Sequence, residues 1–174
     1  MSKRPQRSRQ EEFLSLLEEH RKILYKVASS YCRNPTDRQD LVQEIVVQLW
    51  RSFDRYDERY KFSTWMYRIA LNVAISFVRS EQRRARASVP LEDAIVETVA
   101  APEPPSTDQD FLRLQRFIDQ LGEVDRALVA LYLDGNRYDA IAEVLGLSET
   151  NVGTKLNRIK QKLREWARAE ESGG

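Results

Sequence analysis

Residues 136–164, NRYDAIAEVLGLSETNVGTKLNRIKQKLR, carry the pattern that decides the fold. Leu133, Ile141, Ala142, Leu145, Leu147, Val152, Leu156, Ile159 and Leu163 are the apolar positions. From Val152 onward they recur at intervals of four, three and four, which is one face of a helix. Gly146 stands where a first helix must stop and the chain reverse, a place for the left-handed conformation that glycine adopts cheaply. Ser148 follows as a hydroxyl N-cap for the next helix, with Asn151 three residues on. The stretch reads as helix, tight turn, helix. Opposite the apolar face lie Thr150, Asn151, Thr154, Lys155 and Arg158, the side chains a recognition helix presents to a major groove near its N-terminal end. An ordinary helical hairpin with a solvated charged side fits the same pattern, and such patterns recur by chance. Six basic residues against one acidic over residues 155–168 favour DNA.

Composition sets the frame around this stretch. With 174 residues, 41% hydrophobic and 32% charged, with six glycines and six prolines, the chain suits one helical domain or two small ones. Net charge is +1, so the uneven distribution of charge matters more than its total. A single cysteine, Cys32, excludes an internal disulfide and suits a reducing cytoplasm. No apolar run approaches the roughly 20 residues needed to span a membrane, so no membrane insertion is expected. The basic residues 1–10 lack the apolar core of a signal peptide and are expected to form a disordered arm.

Further along, Phe13, Leu14, Leu17, Leu24, Val27, Ala28 and Tyr31 predict one long amphipathic helix over residues 11–31. Asn34-Pro35 breaks it, and Thr36-Asp37-Arg38-Gln39 matches a capping box for the next helix. In that helix Leu41, Ile45, Leu49 and Trp50 form the buried stripe, while Asp40, Gln43, Glu44, Gln48 and Arg51 face outward or sideways. Residues 54–61, DRYDERYK, read as a loop. Ser63 is expected to cap a third helix whose apolar face is Trp65, Met66, Ile69, Ala70, Val73, Ala74, Phe77 and Val78. Its other face carries Tyr67, Arg68, Asn72, Ser76 and Arg79, then Arg83, Arg84 and Arg86. Leu71 and Ile75 are apolar on that face and call for a cover. Residues 87–110 hold six acidic residues, four prolines and no basic residue, the composition of a flexible linker. Leu91, Ile95 and Val96 allow one short helix there. A second domain is expected over residues 111–168, with helices near 111–121 and 124–133 before the hairpin, and a frayed tail over 169–174. The fold class is all-α, two small helical domains on an acidic tether.

Catalytic constellations are scarce. His20 and Cys32 are twelve residues apart, about 18 Å along a helix, too far to share a metal or to form a nucleophile–base pair. No glycine-rich phosphate loop and no carboxylate cluster at metal-ligand spacing appears. The chain is read as not an enzyme, with no metal and no cofactor. Nucleic-acid features occur twice. Besides the hairpin, residues 53–86 interleave Phe53, Tyr56, Tyr60, Phe62, Trp65 and Tyr67 with eight basic residues. Aromatic planes stack unpaired bases at about 1–3 kcal/mol per base while arginines follow the backbone. Phe62 and Trp65 can equally be core, and for Trp65 the core reading has the better claim. Tyr56, Tyr60 and Tyr67 are harder to place in a core beside so much charge.

Three motifs in this order resemble a bacterial extracytoplasmic-function sigma factor of the sigma-70 family, the compact class that keeps only the second and fourth conserved regions. Asp40-Leu41-Val42-Gln43-Glu44 with Leu49-Trp50 resembles the region that docks on the polymerase clamp. Phe62-Ser63-Thr64-Trp65-Met66-Tyr67-Arg68-Ile69-Ala70, then Asn72, resembles the promoter-melting helix. Leu133, Tyr138, Ile141-Ala142, Leu145-Gly146, Ser148, Val152, Leu156 and Arg158 resemble the reader of the minus-thirty-five element. The resemblance covers residues 11–86 and 111–164. It implies region 2 over 11–86, region 4 over 111–168, and a cytoplasmic protein that joins core RNA polymerase through the clamp and flap of its large subunits and meets promoter DNA, duplex and melted. Core binding would fall to Asp40, Leu41, Gln43, Glu44, Gln48 and Arg51. The minus-ten strand would meet Tyr56, Tyr60, Trp65, Tyr67, Arg68, Asn72, Ser76, Arg79 and Arg83. The minus-thirty-five duplex would meet Arg137, Thr150, Asn151, Thr154, Lys155 and Arg158. An anti-sigma factor is a further partner the family suggests, although nothing in the sequence encodes one. The acidic tether is either a nucleic-acid mimic in the polymerase's RNA path, as in the family, or a plain spacer.

The sequence departs from the family at several positions. Leu71 replaces a usual arginine, Ser76 a common aspartate and Gly153 a frequent lysine, while Gln48 stands where the family is often basic. A stand-alone helix-turn-helix regulator that never joins polymerase is the alternative. It leaves the Asp40–Trp50 pattern and the aromatic loop without a use.

Overall fold

The structure is a computed structural model that describes residues 6–87 and 108–173. Among these residues there are eight α-helices, one 3-10 turn and no strand. The chain divides into two compact units, Met1–Val78 and Arg79–Gly174, the division falling inside a helix.

The first unit contains α1 (Gln6–Glu19), α2 (Arg21–Tyr31), α3 (Pro35–Ser52), the 3-10 turn Phe53–Arg55 and the start of α4 (Phe62–Ala87). Its core follows the predicted stripes. Leu41, Ile45 and Leu49 are each 0% exposed on one side of α3, and full burial of such side chains stabilises by about 1.5–3 kcal/mol each. α2 packs on α3 through a face that buries Ile23, Leu24, Val27, Ala28 and Tyr31. Cys32 is buried beside its end.

Four expectations for this unit are corrected. The helix predicted over residues 11–31 is two helices, broken at His20 (φ −107, ψ 14). Both the His20 amide and its Nδ1 approach the Leu16 carbonyl, at 3.1 and 3.0 Å, so the ring competes for an acceptor of the helix ladder. The basic arm over 1–10 is helical from Gln6. Arg9 lies with its guanidinium 4.7 Å from the Trp50 ring and its Nη2 2.9 Å from Asp54 Oδ1. α3 is capped by Asn34, not Thr36: the Thr36 amide donates to Asn34 Oδ1 at 2.8 Å. Pro35 takes the first helical position, where a missing N–H costs nothing. Ser63 lies inside the first turn of α4 rather than capping it.

α4 buries more than the predicted face. Met66, Ala70 and Ala74 are fully buried as expected, and Tyr67 and Leu71 are only 4% and 2% exposed. Burial supplies the cover that the apolar Leu71 calls for. Ile75 is half-buried.

The second unit contains α5 (Gln109–Gln120), α6 (Glu123–Leu133), α7 (Tyr138–Leu145) and α8 (Glu149–Ser172). Asp108 caps α5 by accepting from the Asp110 amide at 3.0 Å. Gly135 and Gly146 adopt φ of 81 and 68 at the ends of α6 and α7, and a β-carbon would strain both turns. Leu128, Leu131, Ile141, Val152 and Leu156 fill the core, and α6, α7 and α8 pack on one another. Leu133, one of the apolar positions of the pattern, is the last residue of α6 and is 58% exposed. α8 runs to Ser172 rather than fraying from 169. Its last turns are held to α5 by Phe117 against Trp166 (5.9 Å between ring centres) and by Arg113 Nε to Glu170 Oε2 at 3.0 Å. The predicted linker's residues 88–107, with the short helix expected at Leu91, Ile95 and Val96, lie outside the described residues. Its two ends are helical, Ala87 in α4 and Gln109 and Asp110 in α5.

Candidate nucleic-acid and partner interfaces

α3 offers one stripe to solvent. Asp40, Gln43, Glu44, Gln48 and Arg51 are all exposed, opposite the buried row of Leu41, Ile45 and Leu49. Leu41, predicted as part of the docking set, has no surface to offer and acts by seating the helix. Sequence reading missed Val47, which is 47% exposed. It is three residues after Glu44 and four after Gln43, so it lies inside the polar stripe. An apolar side chain outside the inward spacing was the available signal.

The loop before α4 is built on aromatic packing. Tyr56 is half-buried, with its ring 5.1 Å from Trp65, 5.4 Å from Phe62 and 6.1 Å from Phe53. Its hydroxyl donates to the Tyr60 carbonyl at 2.8 Å. Burial first, then the carboxylates of Glu58, Asp57 and Glu12, push the Tyr56 phenol up, so the hydroxyl stays a donor. The Tyr60 amide closes a turn on the Asp57 carbonyl at 3.0 Å. Asp57 clasps Arg59 through its amide at 3.0 Å and through Nε and Nη2 at 2.9 and 2.6 Å. Those hydrogen bonds, side chain first, hold the Asp57 carboxyl below its ordinary range. The clasp is therefore complete near neutral pH and is lost only as acid protonates Asp57 through that lowered value.

Of the strand-facing candidates, Tyr60 is 57% exposed. Arg68, Asn72, Ser76, Arg79 and Arg83 are exposed at intervals of four, four, three and four along α4, a row of roughly 22 Å. Tyr67 departs from expectation: at 4% exposure its ring offers no face to a base. Trp65 is half-buried with its ring 5.3 Å from Phe62, which favours the core reading.

On α8, Thr150, Asn151, Thr154 and Arg158 are exposed and Lys155 is half-exposed. Thr150, Thr154 and Arg158 lie across the helix from buried Val152, Leu156 and Ile159, and Asn151 and Lys155 lie on one flank between the two faces. Ser148 Oγ accepts the Asn151 amide at 3.1 Å, which fixes the start of the helix as predicted. The positive end of the helix dipole adds to that surface. Arg137, just ahead of α7, is exposed and reaches Asp139 at 3.7 Å. Lys160 is turned elsewhere, with its Nζ 4.7 Å from the Tyr132 ring.

The comparisons agree with this layout. Residues 16–84 match sigma-70 region 2 and residues 111–163 match sigma-70 region 4. The RNA polymerase sigma factor CnrH of Cupriavidus metallidurans is 30% identical over 165 residues, covering 88% of this chain and 85% of that one. The ECF RNA polymerase sigma factor SigE of Mycolicibacterium smegmatis is 29% identical over 155 residues; the alignment covers 87% of this chain but only 60% of the relative's length. Among solved structures, the sigma factor RpoE of Bartonella quintana, in complex with the anti-sigma factor NepR, superposes with a TM-score of 0.68 at 21% identity, over 91% of this chain and 96% of that one.

Gly153, the least expected residue of α8, lies beside Tyr138. A β-carbon there would sit 3.6 Å from Tyr138 Cε2, an ordinary contact. Gly153→Ala is therefore expected to stabilise this unit by up to about 1 kcal/mol through helix propensity. Slower amide hydrogen exchange across α7 and α8 would show it, and faster exchange would show that Tyr138 cannot accommodate the methyl.

Proposed function

This chain belongs to the extracytoplasmic-function sigma factors of the sigma-70 family, and from that membership we infer how its residues divide the work of initiation. The chain binds core RNA polymerase and directs promoter-specific transcription initiation, a non-catalytic role. No helix among the described residues is long and apolar enough to cross a membrane, and cytoplasmic action is part of the proposal.

The α3 stripe docks on the polymerase clamp. Asp40 and Glu44 face basic side chains of the partner, Gln43, Gln48 and Arg51 add polar contacts, and Val47 gives the patch an apolar centre. Such a centre, ringed by polar groups, is the usual anatomy of an interface. The loop at 56–61 and the exposed row of α4 receive the minus-ten strand. Tyr60 stacks on an unpaired base, Arg68, Arg79 and Arg83 follow phosphates, and Asn72 and Ser76 offer polar contacts. In the second unit α8 enters the major groove of the minus-thirty-five element. Thr150, Asn151 and Thr154 reach base edges, while Lys155, Arg158 and Arg137 hold phosphates. An anti-sigma factor is a fitting regulator, as one accompanies the structural neighbour. The observation that carries this division is that each row faces solvent on a helix whose opposite side is buried. A stand-alone regulator leaves the α3 stripe idle and is not favoured.

Two sets of variants test the assignments. Asp40→Arg with Glu44→Arg is expected to weaken binding to core polymerase by more than about 100-fold, since like-charge juxtaposition costs several kcal/mol. Both positions are exposed, so the helical content should stay the same. Undiminished co-purification with core would remove the docking role. Asn151→Ala is expected to relax base preference at one position by about 1–3 kcal/mol. Lys155→Ala should weaken duplex binding evenly across sequences and lower the salt slope by about one. A footprint and base preference unaltered by either variant would remove α8 as the reader.

A further inference from the structure

Tyr60 and Tyr56 belong to the same loop but are placed for different tasks. Tyr60 turns 57% of its surface to solvent, whereas the Tyr56 ring is packed among Phe53, Phe62 and Trp65. The Tyr56 hydroxyl reaches across the loop to the Tyr60 carbonyl at 2.8 Å. Together with the Asp57–Tyr60 turn and the Asp57–Arg59 clasp, this bond closes residues 56–60 into a small folded ring. Periodicity gives the segment no helix or strand, so without these bonds it would have to be ordered when it binds.

We propose that Tyr56 is a positioning residue, whose hydroxyl holds the Tyr60 backbone in place so that the Tyr60 ring is a preformed seat for a single unpaired base. The inference rests on the reading that this loop meets the melted strand. A base that docks on an ordered loop forfeits less conformational freedom than one that must order it. Tyr56 touches no base. It acts through Tyr60, and the clasp of Asp57 on Arg59 supports the same turn from the other side.

The test uses holoenzyme assembled from core polymerase and the full chain. The probe is a pool of fork-junction DNAs with a randomised unpaired overhang, compared with the same duplex without an overhang and with one whose overhang is abasic. Tyr56→Phe keeps the ring and removes only the hydroxyl. It is expected to lower the preference for the base-bearing overhang by about 3- to 10-fold, the size of one lost hydrogen bond. Affinity for core, for the plain duplex and for the abasic fork should stay at the wild-type level, which a general loss of structure would not allow. Tyr60→Ala is the companion variant, expected to abolish the preference. If Tyr60→Ala fails while Tyr56→Phe equals wild type, the positioning role is overturned and the strand-contact reading stands. If neither variant alters the preference, the strand-contact reading falls, and the positioning role falls with it.

Discussion

Phe53 is the point on which the first unit turns. Its ring lies 5.2 Å from Phe13, 6.5 Å from Trp50, 6.1 Å from Tyr56 and 6.3 Å from Trp65. Those four rings come from α1, α3, the loop and α4. Aromatic side chains bury about 150–250 Å² each and favour tilted or offset pairs, so one ring with four such neighbours fixes several elements at once. Arg9 closes the outer side by lying over Trp50 and pairing with Asp54. A charged, irregular segment such as 56–61 gains an apolar anchor this way and can remain exposed without being loose. The surface assigned to strand contact is thereby supported by the core that folds the unit.

The second unit solves a simpler problem. A helix proposed to enter a groove must be rigid on one face and free on the other. Val152, Leu156 and Ile159 supply the first face, and the polar row from Thr150 to Arg158 supplies the second. Gly146 in the left-handed region lets α8 follow α7 closely, and the Phe117–Trp166 and Arg113–Glu170 contacts tie its far end to α5. Apolar periodicity and turn chemistry nearly determine this unit, and few long-range choices are left.

That contrast explains what was legible beforehand. The Leu41–Ile45–Leu49 stripe, the Ser148 cap and the Gly146 reversal are local patterns, and all three stand in the structure as read. The break at His20 was hidden because apolar spacing bridges a single irregular residue. Asn34-Pro35 reads as a breaker, and Asn34 is both breaker and cap. Tyr67 reads as a surface aromatic because basic residues are interleaved through 53–86, yet α4 is buried on more than one side, and that is decided by tertiary packing. Val47 was hidden among β-branched neighbours of a helix whose buried stripe was already complete. The Tyr56–Tyr60 bond and the Asp57–Arg59 clasp depend on loop geometry that periodicity does not encode.

The chain directs promoter-specific transcription, and the three proposed surfaces have one joint use in it, to bring polymerase to a promoter and open it. The most direct measurement is to add the chain to core RNA polymerase on genomic DNA and map the 5′ ends of the transcripts. The account predicts initiation at a limited set of start sites, each preceded by shared minus-ten and minus-thirty-five sequences and absent with core alone. Protection of duplex DNA by the chain without core, with no initiation when core is added, would contradict it.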